Sequence, residues 1–222
     1  MDRIPTRHSL HAVIDASRHL DGAKAGHVQE YDQQAGTLTM VAHRGFSAEF
    51  VGHFRVARAG DGSAGGQVLS DRHRVLIRDT HTDAAYAPHV PAADADGIRA
   101  ILALPLTLNV GEFVGAISMH YGQPHIPAPP VVQRFERLAH VAAQVIWCAR
   151  ARANLLAATP PDVPTPGLPP AAAQTAVLSR DILAKLPERN GINLIESAEH
   201  HLDLLIQQLR RMMGGPGLAG AS

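Results

Sequence analysis

Residues 97–121, GIRAILALPLTLNVGEFVGAISMHY, restrict the fold more than any other stretch. Residues 98–108 are almost wholly apolar apart from Arg99 and Thr107, which suits a strand covered on both faces. Asn109, Val110 and Gly111 supply a turn, because Asn and Gly tolerate positive φ. Residues 113–121 form a second apolar run, with Gly115 where a neighbouring backbone can come close. The pattern predicts a hairpin at the centre of a sheet.

The chain has 222 residues and is 45% hydrophobic, enough for one domain plus an accessory segment. Its formal net charge is zero, which argues against a broad nucleic-acid or anionic-membrane surface. The single cysteine, Cys148, leaves no internal disulfide or cysteine-based zinc site. The first twenty residues lack the apolar core of a signal peptide, and no run reaches the roughly 18 apolar residues of a membrane span. The expected location is the cytoplasm.

Leu10, Val13, Ile14, Ser17 and Leu20 repeat at helical spacing and predict a first helix ending near Gly22. Residues 26–32 and 37–43 read as two strands of a hairpin. Ser47 caps a predicted short helix through Phe54, which places Phe46, Phe50 and Phe54 on one face. Residues 60–66, GDGSAGG, read as a flexible loop, followed by a helical turn over 67–72. Residues 75–77 are a further strand, 79–91 irregular, and 92–96 a helical turn feeding the central hairpin. A long helix is predicted from 131 to about 156, its apolar face marked by Phe135, Leu138, Ala142, Val145 and Ala149.

The expected organisation is a domain over 1–156, a Pro/Ala-rich linker over 157–177, a helical segment over 178–213 and a disordered tail over 214–222. In the helical segment Ile195, Ala198, Leu202, Leu205, Leu209 and Met212 follow a 3-4-3-4-3 spacing. That is a coiled-coil seam, read here as a dimerisation helix rather than one docked on its own domain.

Several stretches resemble the GAF domain, a small-molecule sensor module of bacterial signalling proteins. They are Gly97-Ile98-Arg99-Ala100 with Leu104-Pro105-Leu106; Gly111, Gly115, residues 118–121 and Pro124; residues 28–32 with Leu38 and 42–46; Asp79 with Tyr86; and Leu138-Ala139 with residues 142–144. The resemblance covers roughly 8–155. It implies an α+β, GAF-like (PAS-related) antiparallel sheet of five or six strands, with the first and last helices on one face and a ligand pocket under short helices on the other. The separate C-terminal helix adds to this fold. Where a similar subgroup carries a cysteine in the glycine loop, this chain has Gly65, so a bilin thioether there is excluded. Relatives that reduce free methionine sulfoxide need several cysteines, and the cyclic-nucleotide signature is not evident.

The pocket residues implied are Phe46, Phe50, Phe54, Gly65, Tyr86, His89, Arg99, Ser118 and His120. An apolar stripe at helical spacing is core before it is cofactor site, and Arg99 reads equally as a partner for Asp79 or Asp96. Gly60, Gly62 and Gly65 match a dinucleotide fingerprint formally, but the flanking segments lack its buried strand and long helix. Among the 14 histidines, His81, His89, His120 and His125 invite a metal or haem reading, though there is no HExxH. Cys148 is expected to be a buried, inert thiol, and no serine elbow or acid–base pair is evident.

The expected function is non-catalytic sensing of an unidentified small molecule, with no metal site and no identifiable cofactor. The expected partners are a second copy of the chain and a histidine kinase or other signalling protein. The alternatives are a ligand-free GAF scaffold for dimerisation or partner binding, and a haem or metal sensor.

Overall fold

The computed structural model describes residues 4–108 and 111–158. A compact unit runs through Trp147, and the last helix continues beyond it into a second unit. The elements are α1 (Ile4–Asp21), β1 (Ala25–Asp32), β2 (Thr37–Arg44), α2 (Ala48–His53), β3 (Val56–Arg58), α3 (Ala64–Asp71), β4 (Val75–Ile77), a 3-10 turn (Ala87–His89), α4 (Val90–Ala95), β5 (Ala100–Thr107), β6 (Phe113–Tyr121) and α5 (Pro129–Ala158). The six strands form one sheet in the order β3-β2-β1-β6-β5-β4, and every pairing is antiparallel.

The apolar hairpin sits inside this sheet, between β1 and β4. All of β6 except Phe113 is buried, as are six of the eight residues of β5, so both strands are covered on both faces. Gly111 closes the turn with φ +83°, while 109 and 110 lie outside the described residues. Gly115 is where the backbones close up. A Cβ there would lie 2.2 Å from the Gln29 carbonyl oxygen of β1, so any larger residue forces the two central strands apart.

Alternation along β1 sorts the two faces. Gly26 and Val28 point to the side covered by α1, where a Cβ on Gly26 would meet Met119 and Ile14. Leu10, Val13 and Ile14 of α1 are fully buried there. Ala25, His27, Gln29 and Tyr31 point to the other side, which α3 covers through its packing on β3, β5 and β6. The core of this second side holds Phe50, Phe54, Val68, Tyr86, Ile98, Ile101, Ala103 and Ala116. A bulge in β2 leaves Val41 without a partner, between the Val28–Ala42 and Gln29–Met40 pairs.

Three local expectations are corrected. Residues 64–66 are helical rather than loop, because Ser63 is the N-cap of α3 and its hydroxyl accepts from the Gly66 N–H at 3.0 Å. Gly66 fits there because a Cβ would strike the Asp61 carboxylate and the Arg58 carbonyl. The segment before that loop pairs with β2 as the short strand β3, despite Arg55 and Arg58, because its middle residue Ala57 packs inward. The turn feeding β5 starts at Val90, two residues earlier than expected, since Pro91 suits the first helical turn.

In α5, Phe135, Leu138, Ala142 and Val145 are buried, and Arg74 reaches Glu136 on its exposed side at 3.3 Å. Cys148 is half-buried rather than buried, and its thiol is pushed up chiefly by that burial. Helix α5 continues to Ala158. The rest of the expected linker, the helical seam and the tail lie outside the described residues. Among the described residues, no helix is long and apolar enough to cross a membrane.

Candidate functional site

Strands β1 and β6 carry a band of polar side chains into the second core. The register sets His27 opposite Ser118, Gln29 opposite Ala116, and Ala25 opposite His120. Same-face residues two apart on a strand are about 6.6 Å apart, so the band from His120 to Gln29 runs diagonally for about 13 Å. All four side chains are buried. His27 Nδ1, Gln29 Oε1, Ser118 Oγ and both ring nitrogens of His120 have no hydrogen-bond partner. The Gln29 amide nitrogen donates to the Phe54 carbonyl at 3.3 Å, which leaves its oxygen free.

Helix α2 lays an aromatic wall over this band. Ser47 caps it by accepting from the Phe50 N–H at 3.1 Å, and this fixes the direction of the stripe. Phe46 and Phe50 stack at 4.3 Å with 7° between their planes. Both meet the His120 ring edge-on, at 4.9 and 5.6 Å. His27 lies 5.1 Å from His120 and 5.7 Å from Phe46. Phe54 continues the wall from Phe50, at 4.5 Å, to Tyr86, at 6.3 Å. The Tyr86 hydroxyl is buried without a partner, and burial raises its pKa.

The electrostatics follow from desolvation. Burial lowers His27 to about 4, outweighing the opposing influence of the Gln29 amide. His120 is pushed well below the ordinary imidazole value, first by burial and then by His27. Both rings are therefore neutral at pH 7, and each neutral imidazole offers one donor and one acceptor.

Of the nine pocket residues expected from the sequence, Phe46, Phe50, Phe54, Ser118 and His120 gather around the band with Tyr86 at its far end. Gly65 lies in the first turn of α3, where a Cβ would come 2.4 Å from Gln29 Oε1. His89 sits at the rim, with Tyr86 on one side and His53 on the other. Its Nε2 donates to the Asp61 carbonyl at 2.8 Å, and in the neutral ring Nδ1 accepts from His53 at 3.0 Å. Arg99 is not brought into the band. It makes two contacts of 2.9 Å to the two oxygens of Asp79 and holds the loop before the 3-10 turn.

His81, His89, His120 and His125 do not converge. His81 pairs with Asp94 at 2.6 Å and His125 with Asp21 at 2.5 Å, while His89 and His120 have the surroundings given above. Among the described residues, no group of three or more His, Cys, Asp or Glu is placed to hold a metal ion. The glycine loop joins a three-residue strand to an eight-residue helix, which is not the strand and long helix of a dinucleotide site.

Two site residues escaped the sequence reading, His27 and Gln29. Their signal was a polar pair at period two in AGHVQEYD, and only the β1–β6 register places it against Ser118 and His120.

Residues 9–146 match the family model described as GAF domain. The chain belongs to the GAF family. Its fold is similar to a domain assigned to a two-component sensor histidine kinase from Sinorhizobium meliloti, at 21% identity and TM-score 0.54, covering 69% of this chain and 98% of that one. It is also similar to the GAF domain of a phosphoenolpyruvate-protein phosphotransferase from Coxiella burnetii, at 22% identity and TM-score 0.57, covering 67% and 86%. A GAF domain/HD domain protein from Geobacter sulfurreducens aligns at 16% identity and TM-score 0.55, covering 68% and 97%. Among the curated proteins, none matches this chain.

Proposed function

We propose that this GAF protein is a non-catalytic sensor that binds a small molecule between the β1–β6 face and helix α2. One observation carries the reading: six polar atoms, on His27, Gln29, Tyr86, Ser118 and His120, are buried without partners on one side of one sheet. Leaving a buried polar group unsatisfied costs about 1–3 kcal/mol, and native proteins hold few of them. A concentration beside an aromatic wall is the pattern expected where a ligand completes the hydrogen bonds.

The ligand contacts α2, whose Phe46–Phe54 stripe forms the wall over the band. A ligand with different affinity for two positions of α2 shifts their populations. The signal then passes through α5 toward the C-terminal segment, where Ile195, Leu202, Leu205, Leu209 and Met212 form the self-association seam of a cytoplasmic homodimer. A histidine kinase or another signalling protein receives it.

One observation favours a second reading, a scaffold without ligand. Phe46 and Phe50 already pack on His120 at 4.9 and 5.6 Å, so side chains occupy part of the space a ligand would take. Native mass spectrometry of the purified full chain separates the two. A dimer with retained mass supports the sensor, and a ligand-free dimer supports the scaffold. A monomer refutes the self-association seam.

A further inference from the structure

The chemistry of the buried band restricts what the sensor site accepts, given the reading above. Among the described residues, the buried polar side chains are Ser9, Ser17, His27, Gln29, Ser63, Thr80, Ser118 and His120, and none carries a fixed charge. Both histidines of the band are kept neutral by their surroundings. The guanidinium that the sequence offered to the pocket, Arg99, is held by both oxygens of Asp79. An anionic ligand would therefore lose its hydration with no cation to replace it, and a cationic one would find no carboxylate.

The free atoms are mixed in kind. Gln29 Oε1 only accepts, Ser118 Oγ donates and accepts, the two free nitrogens of neutral His120 supply one donor and one acceptor, and His27 offers Nδ1 alone. The walls are flat. Phe46 and Phe50 lie nearly parallel, and His120 stands perpendicular to both. A planar ring slides against such faces with edge-to-face or offset contacts. The diagonal of about 13 Å suits one or two fused rings with a polar substituent rather than a chain.

We propose that the β1–β6 band of the GAF pocket binds an uncharged heteroaromatic ligand that carries an amide-type edge, with hydrogen-bond donor and acceptor side by side. His27 and Ser118 meet one polar edge from facing positions on the two strands, and Gln29 and His120 bracket it. Carboxylates and phosphates of the same size are rejected.

The test uses the full chain labelled with 15N-histidine, with the His27 and His120 ring signals assigned through H27Q and H120Q. Two matched pairs are titrated: nicotinamide against nicotinate, and indole-3-carboxamide against indole-3-carboxylate. Each pair shares ring and size and differs in charge at neutral pH. The expected result is saturable movement of both histidine signals by at least one amide, about tenfold tighter than its carboxylate. Ser118→Ala, a small change on a rigid strand, should weaken that amide several-fold while the circular dichroism spectrum stays the same. If a carboxylate binds as tightly as its amide and moves the same signals, the ligand class is overturned and the pocket stands. If none of the four moves either signal at millimolar concentration, the class is again overturned. In that case the retained mass in native mass spectrometry decides the sensor reading separately.

Discussion

Mild acid should weaken this domain through two imidazoles rather than through its carboxylates. His27 titrates near 4 in the folded protein against 6.5 for a free imidazole, and His120 lies well below 6.5. Between the two values the unfolded chain binds the proton that the folded chain refuses. The stabilisation is therefore complete above pH 6.5 and is lost as pH falls toward the folded value. Each pKa unit is about 1.4 kcal/mol, so going from pH 7 to pH 5 removes about 2 kcal/mol through His27, and His120 adds to the loss in the same direction. His11 and His43, lowered by partial burial and nearby arginines, add a little in the same direction. The His27 share alone, about 2 kcal/mol, is a sizeable part of a typical domain's stability. With a urea dependence of about 2 kcal/mol per molar, the unfolding midpoint should fall by about 1 M or more. The assay is urea unfolding followed by far-ultraviolet circular dichroism at pH 7, 6 and 5. Scanning stops at pH 5 because Asp79, lowered by the His81 N–H and then by Arg99, contributes stability that disappears only as pH falls through 3.8 and below. H120Q keeps a polar, hydrogen-bonding group and removes one titration, so its midpoint should fall less far than that of the wild type. An invariant wild-type midpoint, or an H27Q/H120Q variant with the full wild-type slope, refutes the reasoning.

Other substitutions probe separate parts of the fold. Gly115→Ala should destabilise by about 3 kcal/mol or abolish folding, because the new methyl meets the Gln29 carbonyl at 2.2 Å; a melting temperature within a degree of wild type contradicts this. Phe50→Ala, at a side chain only 1% exposed, should cost about 3–5 kcal/mol in urea unfolding, and a loss below 1 kcal/mol would mean that the aromatic wall is not packed. Ser63→Ala removes the cap of α3 and should cost about 1 kcal/mol by the same assay. Arg99→Met should speed hydrogen exchange at the Thr80 and His81 amides and leave any ligand dissociation constant unchanged; a large loss of affinity would return Arg99 to the pocket.

The sheet was readable from the sequence because its strands are long, apolar and bounded by turn residues. Residues 98–108 and 113–121 could hardly be other than central strands, and Ser47 announced α2 with its aromatic face. β3 was not readable, because three residues that follow Arg55 and end on Arg58 carry no periodic signal and owe their conformation to β2. The start of α3 was hidden because glycine lowers helix propensity. Tight packing against Asp61 and Gln29 demands glycine there, and Ser63 starts the helix regardless. The site divided in the same way. Phe46, Phe50, Phe54 and His120 stood out by residue type, whereas His27 and Gln29 gain their meaning from a strand pairing that local sequence does not encode. Arg99 was ambiguous until its distance to Asp79 resolved it.

His27 and Ser118 face each other across strands that lie near opposite ends of the domain sequence. As the chain leaves the ribosome, β1 appears early with its hairpin partner β2, and β6 appears only after every other strand has been made. The half-site on β1 then waits, exposed, for the last hairpin to zip beside it. A ligand held by both edges, as proposed above, would need that closure and would tie the first hairpin to the last.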